Sequence, residues 1–219
     1  MQSLISAVTV LRPNLNPGHG TVLVLGIPRG GTSVVAGICH MLGVEMGIDI
    51  DPSNMEDKIF HQLLMNEHFP EGLADYFADL RRDRKIAGVK NPVIIDFLPT
   101  IWSLVPEPIL VFVTRDVFAA AQREESTGGD FLETLQAAVQ RKYTILDFVR
   151  QSDAPLLVIT YERLMENPHA AVASLGEFLL GNEANPLIDE IVKLVVPHAD
   201  MPNDVNFLHA VAANTNNLC

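Results

Sequence analysis

The chain has 219 residues, of which 48% are hydrophobic and 19% are charged, and its mean hydropathy is +0.21. This composition excludes intrinsic disorder and is sufficient for one domain with a buried core. Acidic residues outnumber basic ones by 27 to 15, which gives a net charge of -12. Such a charge argues against nucleic acid or an anionic membrane as a partner, so any anion site must be a local cluster of positive groups.

The low cysteine content and the lack of a recognisable signal peptide favour a cytoplasmic protein. The two cysteines, Cys39 and Cys219, are too few for a disulfide framework or a zinc cluster. The segment from Met1 to Leu11 lacks the basic region and the cleavage site of a signal peptide. No apolar run reaches the ~20 residues that span a bilayer. We therefore expect a soluble protein in a reducing compartment.

Short apolar runs alternate with helical patterns along the chain. The runs predicted as strands are 21–25, 86–89, 109–114 and 156–160. Helical patterns lie at 32–42, 56–69, 73–82, 93–104 and 131–150, with a last one through 170–180 that Pro168 opens and Gly181 ends. This alternation indicates an α/β fold, a three-layer sandwich in which helices cover both faces of a central parallel β-sheet.

We predict a single domain for residues 1–219. Residues 1–19 are predicted to be an N-terminal extension, with the ordered fold beginning at Thr21. From Pro197 onward the pattern gives way to an irregular, Asn-rich tail, 197–219, which is either mobile or folded over a site. The sequence does not fix the oligomeric state, and a homo-oligomer is compatible with it.

The most informative segment lies between the first predicted strand and the first predicted helix. It runs from Gly26 to Ser33 and reads Gly-Ile-Pro-Arg-Gly-Gly-Thr-Ser. The spacing of Gly26 and Gly31 is that of a phosphate-binding loop, whose backbone N–H groups and helix dipole hold an anion. Thr32 replaces the lysine that binds nucleoside triphosphates, and the positive charge lies at Arg29 instead. The loop suits a short phosphate-containing group without a metal; the alternative is a glycine-rich turn that binds nothing.

This loop resembles the 5′-phosphosulfate loop of the sulfotransferases that use 3′-phosphoadenosine 5′-phosphosulfate (PAPS). Bacterial members in particular read Pro-Arg-Ser-Gly-Thr-Ser there, so a glycine replaces serine at one position of this chain. The resemblance implies a P-loop NTPase-like fold, PAPS as co-substrate, 3′-phosphoadenosine 5′-phosphate (PAP) as product, and no metal. The residues that it assigns to the phosphosulfate are Arg29, Gly30, Gly31, Thr32 and Ser33.

A second matching segment follows the third predicted strand. In the family, a strand that ends in Arg-Asp-Pro or Arg-Asn-Pro provides an arginine, and a serine eight positions later, to the 3′-phosphate of the nucleotide. Arg115 matches the arginine, Val117 replaces the proline, and Arg123 stands in place of the serine. The resemblance implies that Arg115 and Arg123 bind the 3′-phosphate, since a guanidinium also binds phosphate. The alternative for Arg115 is a surface arginine paired with Asp116 or Glu124.

Lys90 lies in a third segment, Gly-Val-Lys-Asn-Pro, which resembles the Trp-Lys-Asp-Pro segment of bacterial sulfotransferases, with Asn91 in place of Asp. Because carboxyl ends of parallel strands meet at one edge of a sheet, we expect Lys90 to lie at the same edge as Arg29. There it could neutralise charge that develops on the bridging oxygen of the donor. The alternative is a solvated lysine after a strand.

A fourth segment begins at Tyr161 and resembles the family's Tyr-Glu-Asp-Leu, Asp-Pro and Phe-Leu-Gly series. The resemblance implies a structural role for Tyr161 and Glu162, which would support the nucleotide side of the sheet. With this segment, the resemblance extends over about Val22 to Gly181.

Sulfuryl transfer also needs a group that takes a proton from the acceptor, and a histidine or a carboxylate can do this. Glu56, Asp57 and His61 lie within about two turns of one predicted helix. Family members use either His or Glu, so Glu56 and His61 are both candidates, and the alternative for each is a solvated helix residue. We expect His40 to pack on the first helix and His19 to lie at the opposite edge of the sheet.

These observations favour an enzyme, a PAPS-dependent sulfotransferase that modifies a hydroxyl or an amine. The acceptor would be a small metabolite, a sugar or a lipid-like alcohol, and no metal or redox cofactor is implied. One alternative is a P-loop small-molecule or nucleotide kinase, which would require magnesium and which the missing loop lysine disfavours. Another is a non-catalytic nucleotide-binding protein on a sulfotransferase scaffold, which the loss of the serine at Arg123 would suit.

Overall fold

The computed structural model describes residues 6–126, 128–181 and 187–195, so the predicted tail lies outside the described residues. Its strands are Val8–Arg12 (β1), Gly20–Gly26 (β2), Ile50–Asp51 (β3), Glu56–Asp57 (β4), Ile86–Lys90 (β5), Pro108–Thr114 (β6) and Leu156–Thr160 (β7). Its helices are Thr32–Met41 (α1), Lys58–Leu64 (α2), Leu73–Arg81 (α3), Ile94–Ile101 (α4), Val117–Glu125 (α5), Phe131–Gln151 (α6), Tyr161–Glu166 (α7), Pro168–Leu180 (α8) and Ile188–Val195 (α9). Within the described ranges, none of the helices combines the length and the apolar character needed to cross a bilayer.

Five strands form one sheet in the order β1-β7-β6-β2-β5, and β3 pairs with β4 in a separate ribbon. The central strand β2 pairs in parallel with β5 on one side and with β6 on the other, and β6 pairs in parallel with β7. The predicted parallel sheet is therefore confirmed for these strands. The carboxyl ends of β5, β2 and β6 lie side by side, which places the segments that follow them at one edge.

The structure corrects the expectation that the ordered fold begins at Thr21. Strand β1 precedes that residue and pairs antiparallel with β7, with Val8 opposite Ile159. Val10 and Leu11 of this strand are exposed at the edge of the sheet. A strand with only part of its length buried gives neither a continuous apolar run nor a strict alternation, so the sequence pattern does not reveal it.

Both faces of the sheet are covered, as predicted. Val22 and Val24 of β2 belong to one hydrophobic cluster and Leu23 and Leu25 to another, because successive side chains of a strand point to opposite faces. Helices α1, α8 and α9 pack in the first cluster, and α2, α3, α4 and α6 pack in the second. The result is the three-layer α/β sandwich.

The helix predicted at 56–69 is shorter, since α2 begins at Lys58 and ends at Leu64. Asp57 sets its start because one carboxylate oxygen accepts a hydrogen bond from the N–H of Phe60 at 2.8 Å. Glu56 consequently lies in β4 and not on the helix. The expectation that Glu56, Asp57 and His61 share one helix is wrong, and Asp57 has a structural role as the cap.

Candidate functional site

The loop between β2 and α1 leads from the central strand of the sheet into a helix. Gly31 caps α1 with a left-handed backbone, φ +86°, and its cap has no side-chain hydrogen bond. The first N–H groups of α1 are therefore available to an anion, which the helix dipole also favours. Thr32 is buried and Ser33 is half-buried in the first turn of this helix.

Arg115 follows β6, and its side chain extends to the loop. Its Nη1 donates a hydrogen bond to the backbone carbonyl of Arg29 at 2.7 Å. Its guanidinium carbon lies 4.7 Å from the centre of the Tyr161 ring. The Nε of Arg115 is buried and finds no hydrogen-bond acceptor in the part of the chain that the structure describes. The ring and the carbonyl hold the guanidinium beside the loop, and a guanidinium is able to bind a phosphate through two parallel hydrogen bonds.

Tyr161 and Glu162, at the start of α7, support the same side of the loop. A Cβ atom at Gly31 would lie only 2.1 Å from the Cδ2 of Tyr161, so the ring packs directly against the glycine. Glu162 Oε1 accepts a hydrogen bond from the backbone N–H of Asp116 at 3.0 Å. These contacts give Tyr161 and Glu162 a structural role at the loop, whereas the prediction that this is the nucleotide side of the sheet stays a prediction.

The side chain of Arg29 pairs with α5. Its Nε lies 2.7 Å from Glu124 Oε2, and the two side chains are 41% and 37% exposed. Arg123 is half-buried in the last turn of the same helix. Lys142 of α6 brings another cation close to Arg115, where its Nζ donates a hydrogen bond to the backbone carbonyl of Arg115 at 2.8 Å. The sequence pattern predicts neither the pairing of Glu124 with Arg29 nor the contact of Lys142 with Arg115.

Lys90 ends β5 on the other side of β2 and is only 3% exposed, which excludes the solvated alternative. Its Nζ donates to Glu56 Oε1 at 2.7 Å and to the backbone carbonyl of Asn54 at 3.2 Å. Burial lowers the pKa of Lys90; the Glu56 carboxylate opposes this shift, and the charge of Arg29 adds to it. The site therefore contains an ion pair between a buried lysine and a half-buried glutamate, and the charge of Arg29 also acts on this lysine.

Asn91, the residue after β5, contacts His61, so His61 lies near the ion pair of Lys90 and Glu56. Its Nδ2 lies 3.1 Å from the Nδ1 of His61. Asn91 is buried, whereas His61 is exposed on α2. The two candidates for the base, Glu56 and His61, thus contact adjacent residues at the end of one strand, although they do not share a helix.

Two other histidines lie away from this cluster, as expected. His40 is half-buried in α1, and burial lowers its pKa. His19 lines a groove of about 560 Å³ near Glu107 and Pro155, which precede β6 and β7 and so mark the amino ends of the strands. Among the residues that the structure describes, no group of three or more His, Cys, Asp or Glu side chains has a metal-binding arrangement.

Sulfotransferases of known structure share this fold. The sulfotransferase domain of the olefin synthase from Synechococcus PCC 7002 superposes with a TM-score of 0.56 at 14% identity, over 93% of this chain and 98% of that domain. Mouse sulfotransferase SULT7A1, in a complex with PAP, gives a TM-score of 0.55 at 12% identity, over 86% of this chain and 74% of that protein. No protein-family model and no curated protein sequence matches the chain. The predicted resemblance is confirmed for the fold.

Proposed function

We propose that this protein transfers a sulfuryl group from PAPS to a hydroxyl or an amine of a small acceptor. The observation that carries the proposal is a pair of cationic groups on the two sides of the loop between β2 and α1. This loop has the glycine spacing of a phosphate-binding loop but has Thr32 in place of the lysine. Arg115 follows β6 and Lys90 ends β5, the two neighbours of the strand that leads into the loop. This arrangement suits a nucleotide that carries one anionic group at its 5′ end and a second at its 3′ position.

The binding roles divide between the loop and α5. Arg29, the backbone of Gly30 and Gly31, and the hydroxyls of Thr32 and Ser33 would hold the 5′-phosphosulfate. Arg115 and Arg123 would hold the 3′-phosphate. The buried Nε of Arg115 has no acceptor among the described residues, which supports this role, because a buried donor without an acceptor is rare unless a ligand supplies one. The fold shared with SULT7A1, which binds PAP in its structure, supports the choice of nucleotide.

The chemical step would need a proton acceptor and a cation at the leaving group. Glu56 would take the proton of the acceptor oxygen while that oxygen forms its bond to sulfur. The bond between sulfur and the bridging oxygen breaks, and its electron pair stays with the 5′-phosphate. Lys90 would move its hydrogen bond from Glu56 to this oxygen, which frees the carboxylate for the proton. A small metabolite, a sugar or a lipid-like alcohol would serve as the acceptor.

A thermal-shift experiment tests the nucleotide. We expect PAP at about 100 times its Kd, without magnesium, to raise the melting temperature by about 5–10 °C, because a ligand that binds only the native state stabilises it by mass action. ATP should have little effect with or without magnesium. A magnesium-dependent shift with ATP that exceeds the shift with PAP would instead support a kinase. Binding of PAP without any release of PAP from PAPS would support the non-catalytic alternative.

The variant Arg115→Ala tests the 3′-phosphate assignment. We expect it to weaken PAP binding by about 2 kcal/mol, or about 30-fold, because a charge-assisted hydrogen-bond partner is lost. Adenosine 5′-monophosphate is the matched control ligand, since it lacks only the 3′-phosphate. Isothermal titration should show little change for this control. An equal loss for both nucleotides would place Arg115 elsewhere in the site.

A further inference from the structure

The two ends of the Asn91 side-chain amide have different partners. Its Oδ1 accepts a hydrogen bond from the backbone N–H of Val93 at 3.1 Å. Its Nδ2 lies 3.1 Å from the Nδ1 of His61. Asn91 is 2% exposed, so its amide depends on protein partners and not on water. The orientation of the amide is consequently fixed by the backbone at Val93.

This orientation determines which nitrogen of His61 carries the proton. An amide nitrogen has only hydrogens to offer, so the facing Nδ1 of His61 must present its lone pair. In a neutral imidazole the single hydrogen then lies on Nε2. Rotation of the Asn91 amide by a half turn would bring its oxygen to His61, but it would also place Nδ2 against the N–H of Val93. Two donors would then face each other at a buried position, which opposes the rotation.

We propose that Asn91 is a positioning residue that holds His61 as an Nε2–H donor, and that His61 therefore donates a hydrogen bond to the acceptor oxygen and does not take its proton. The role at the acceptor rests on the proposed function, whereas the position of the ring hydrogen does not. Both nitrogens are unsuited to a base, because Nδ1 is occupied by Asn91 and Nε2 already carries hydrogen. The proton then goes to Glu56, the other candidate, whose carboxylate bonds Lys90 next to Asn91. A donor from His61 and an acceptor from Glu56 would together fix the direction of a hydroxyl group, which has both a hydrogen and lone pairs.

The hydrogen position can be measured without any ligand. Protein labelled with ¹⁵N in its histidines would be studied by NMR at about pH 9, where imidazoles are ordinarily neutral. His61 would be identified by the signal that disappears in His61→Gln. We expect an N–H type signal from Nε2 and a lone-pair type signal from Nδ1, without averaging between them. A hydrogen on Nδ1 in the unaltered protein would overturn the proposal.

Two substitutions of Asn91 make the test specific. A carboxylate in Asn91→Asp accepts a hydrogen bond, so we expect the His61 hydrogen to move toward Nδ1. In Asn91→Ala the ring loses its partner, so we expect signals averaged between the two tautomers. Ring signals in the unaltered protein that equal those of Asn91→Ala would show that Asn91 does not set the tautomer. Since the unaltered protein gives the first answer, the proposal stays testable even if one variant does not fold.

The role in turnover is tested through hydrolysis of PAPS, in which water is the acceptor. Glutamine keeps a side-chain donor but cannot act as a base, so His61→Gln should retain at least about tenfold more activity than His61→Ala. Equal losses in both variants would overturn the donor role. If the unaltered protein does not hydrolyse PAPS and does not bind PAP, the proposed function fails, and with it the role at the acceptor. The NMR measurement would still decide the tautomer.

Discussion

Replacement of Lys90 by methionine should lower turnover of PAPS by about 10²–10³-fold, or roughly 3 kcal/mol, while it weakens PAP binding much less. A cation that is positioned for charge developing on the leaving oxygen contributes mainly to the transition state. Methionine keeps most of the side-chain volume at a position that is 3% exposed. The Glu56 side chain, 22% exposed, can still reach water once its partner is lost, so the fold should persist. Turnover is measured as PAP released from PAPS, and binding by titration with PAP.

Lys85 provides the matched control for this experiment. It precedes the first residue of β5 and is exposed, so Lys85→Met removes the same charge at the opposite end of the same strand. We expect this variant to retain both turnover and PAP binding. If Lys90→Met reduces turnover and PAP affinity equally, Lys90 only anchors the nucleotide. Unchanged turnover together with unchanged PAP affinity would show that Lys90 has a purely structural role.

Gly31→Ala should destabilise the protein by about 2–5 kcal/mol and abolish PAP binding. The methyl group would lie 2.1 Å from Tyr161 Cδ2, and φ at this position is +86°. The left-handed backbone costs a residue other than glycine about 1–2 kcal/mol, and overpacking typically costs about 1–3 kcal/mol. Relief of the overlap would move the loop or the ring that supports Arg115. Chemical denaturation measures the stability, and titration measures the binding.

Gly43→Ala separates the cost of the left-handed backbone from the cost of the overlap with the Tyr161 ring. Gly43 also has a left-handed backbone, φ +99°, but a Cβ atom there would have no neighbour within 4 Å. Its substitution should therefore cost only about 1–2 kcal/mol. In a Tyr161→Ala background, Gly31→Ala should cost no more than Gly43→Ala. An unchanged cost in that background would show that the ring is not the cause.

The four parallel strands could be predicted to within one residue at each end. A strand that is buried on both faces is a continuous apolar run, and β2 is buried along its whole length. Helix α5 could not be predicted in the same way. Only Ala120 and Ala121 of this helix are buried, with Val117 packed beside them, so its apolar stripe is short and consists mainly of small side chains. Apolar periodicity reveals an element through its buried side chains, so it does not reveal an element that contributes little to the core.

In the candidate site, residues that follow a buried strand could be placed from the sequence, whereas contacts between distant segments could not. Arg29, Lys90 and Arg115 could be placed at one edge because each follows or ends a parallel strand. The contact of Lys90 with Glu56 joins residues that are 34 positions apart, and it depends on how β4 packs near β5. Nothing in the local sequence around Lys142 marks its contact with the carbonyl of Arg115. Such contacts arise from tertiary packing, which periodicity and spacing do not encode.

The ion pair between Arg29 and Glu124 makes the binding of an anion at Arg29 Nε an exchange reaction. An anion that uses this donor must displace the carboxylate of Glu124, whereas the Nη donors of Arg29 lie outside this pair. A singly charged ion such as chloride gains little from this exchange, because it loses hydration to form one contact that a carboxylate already provides. Under the proposed function, the phosphosulfate gains additional hydrogen bonds from the N–H groups at the start of α1. For the proposed nucleotide site, the pair would thus favour a multiply charged anion over a monovalent ion at this donor.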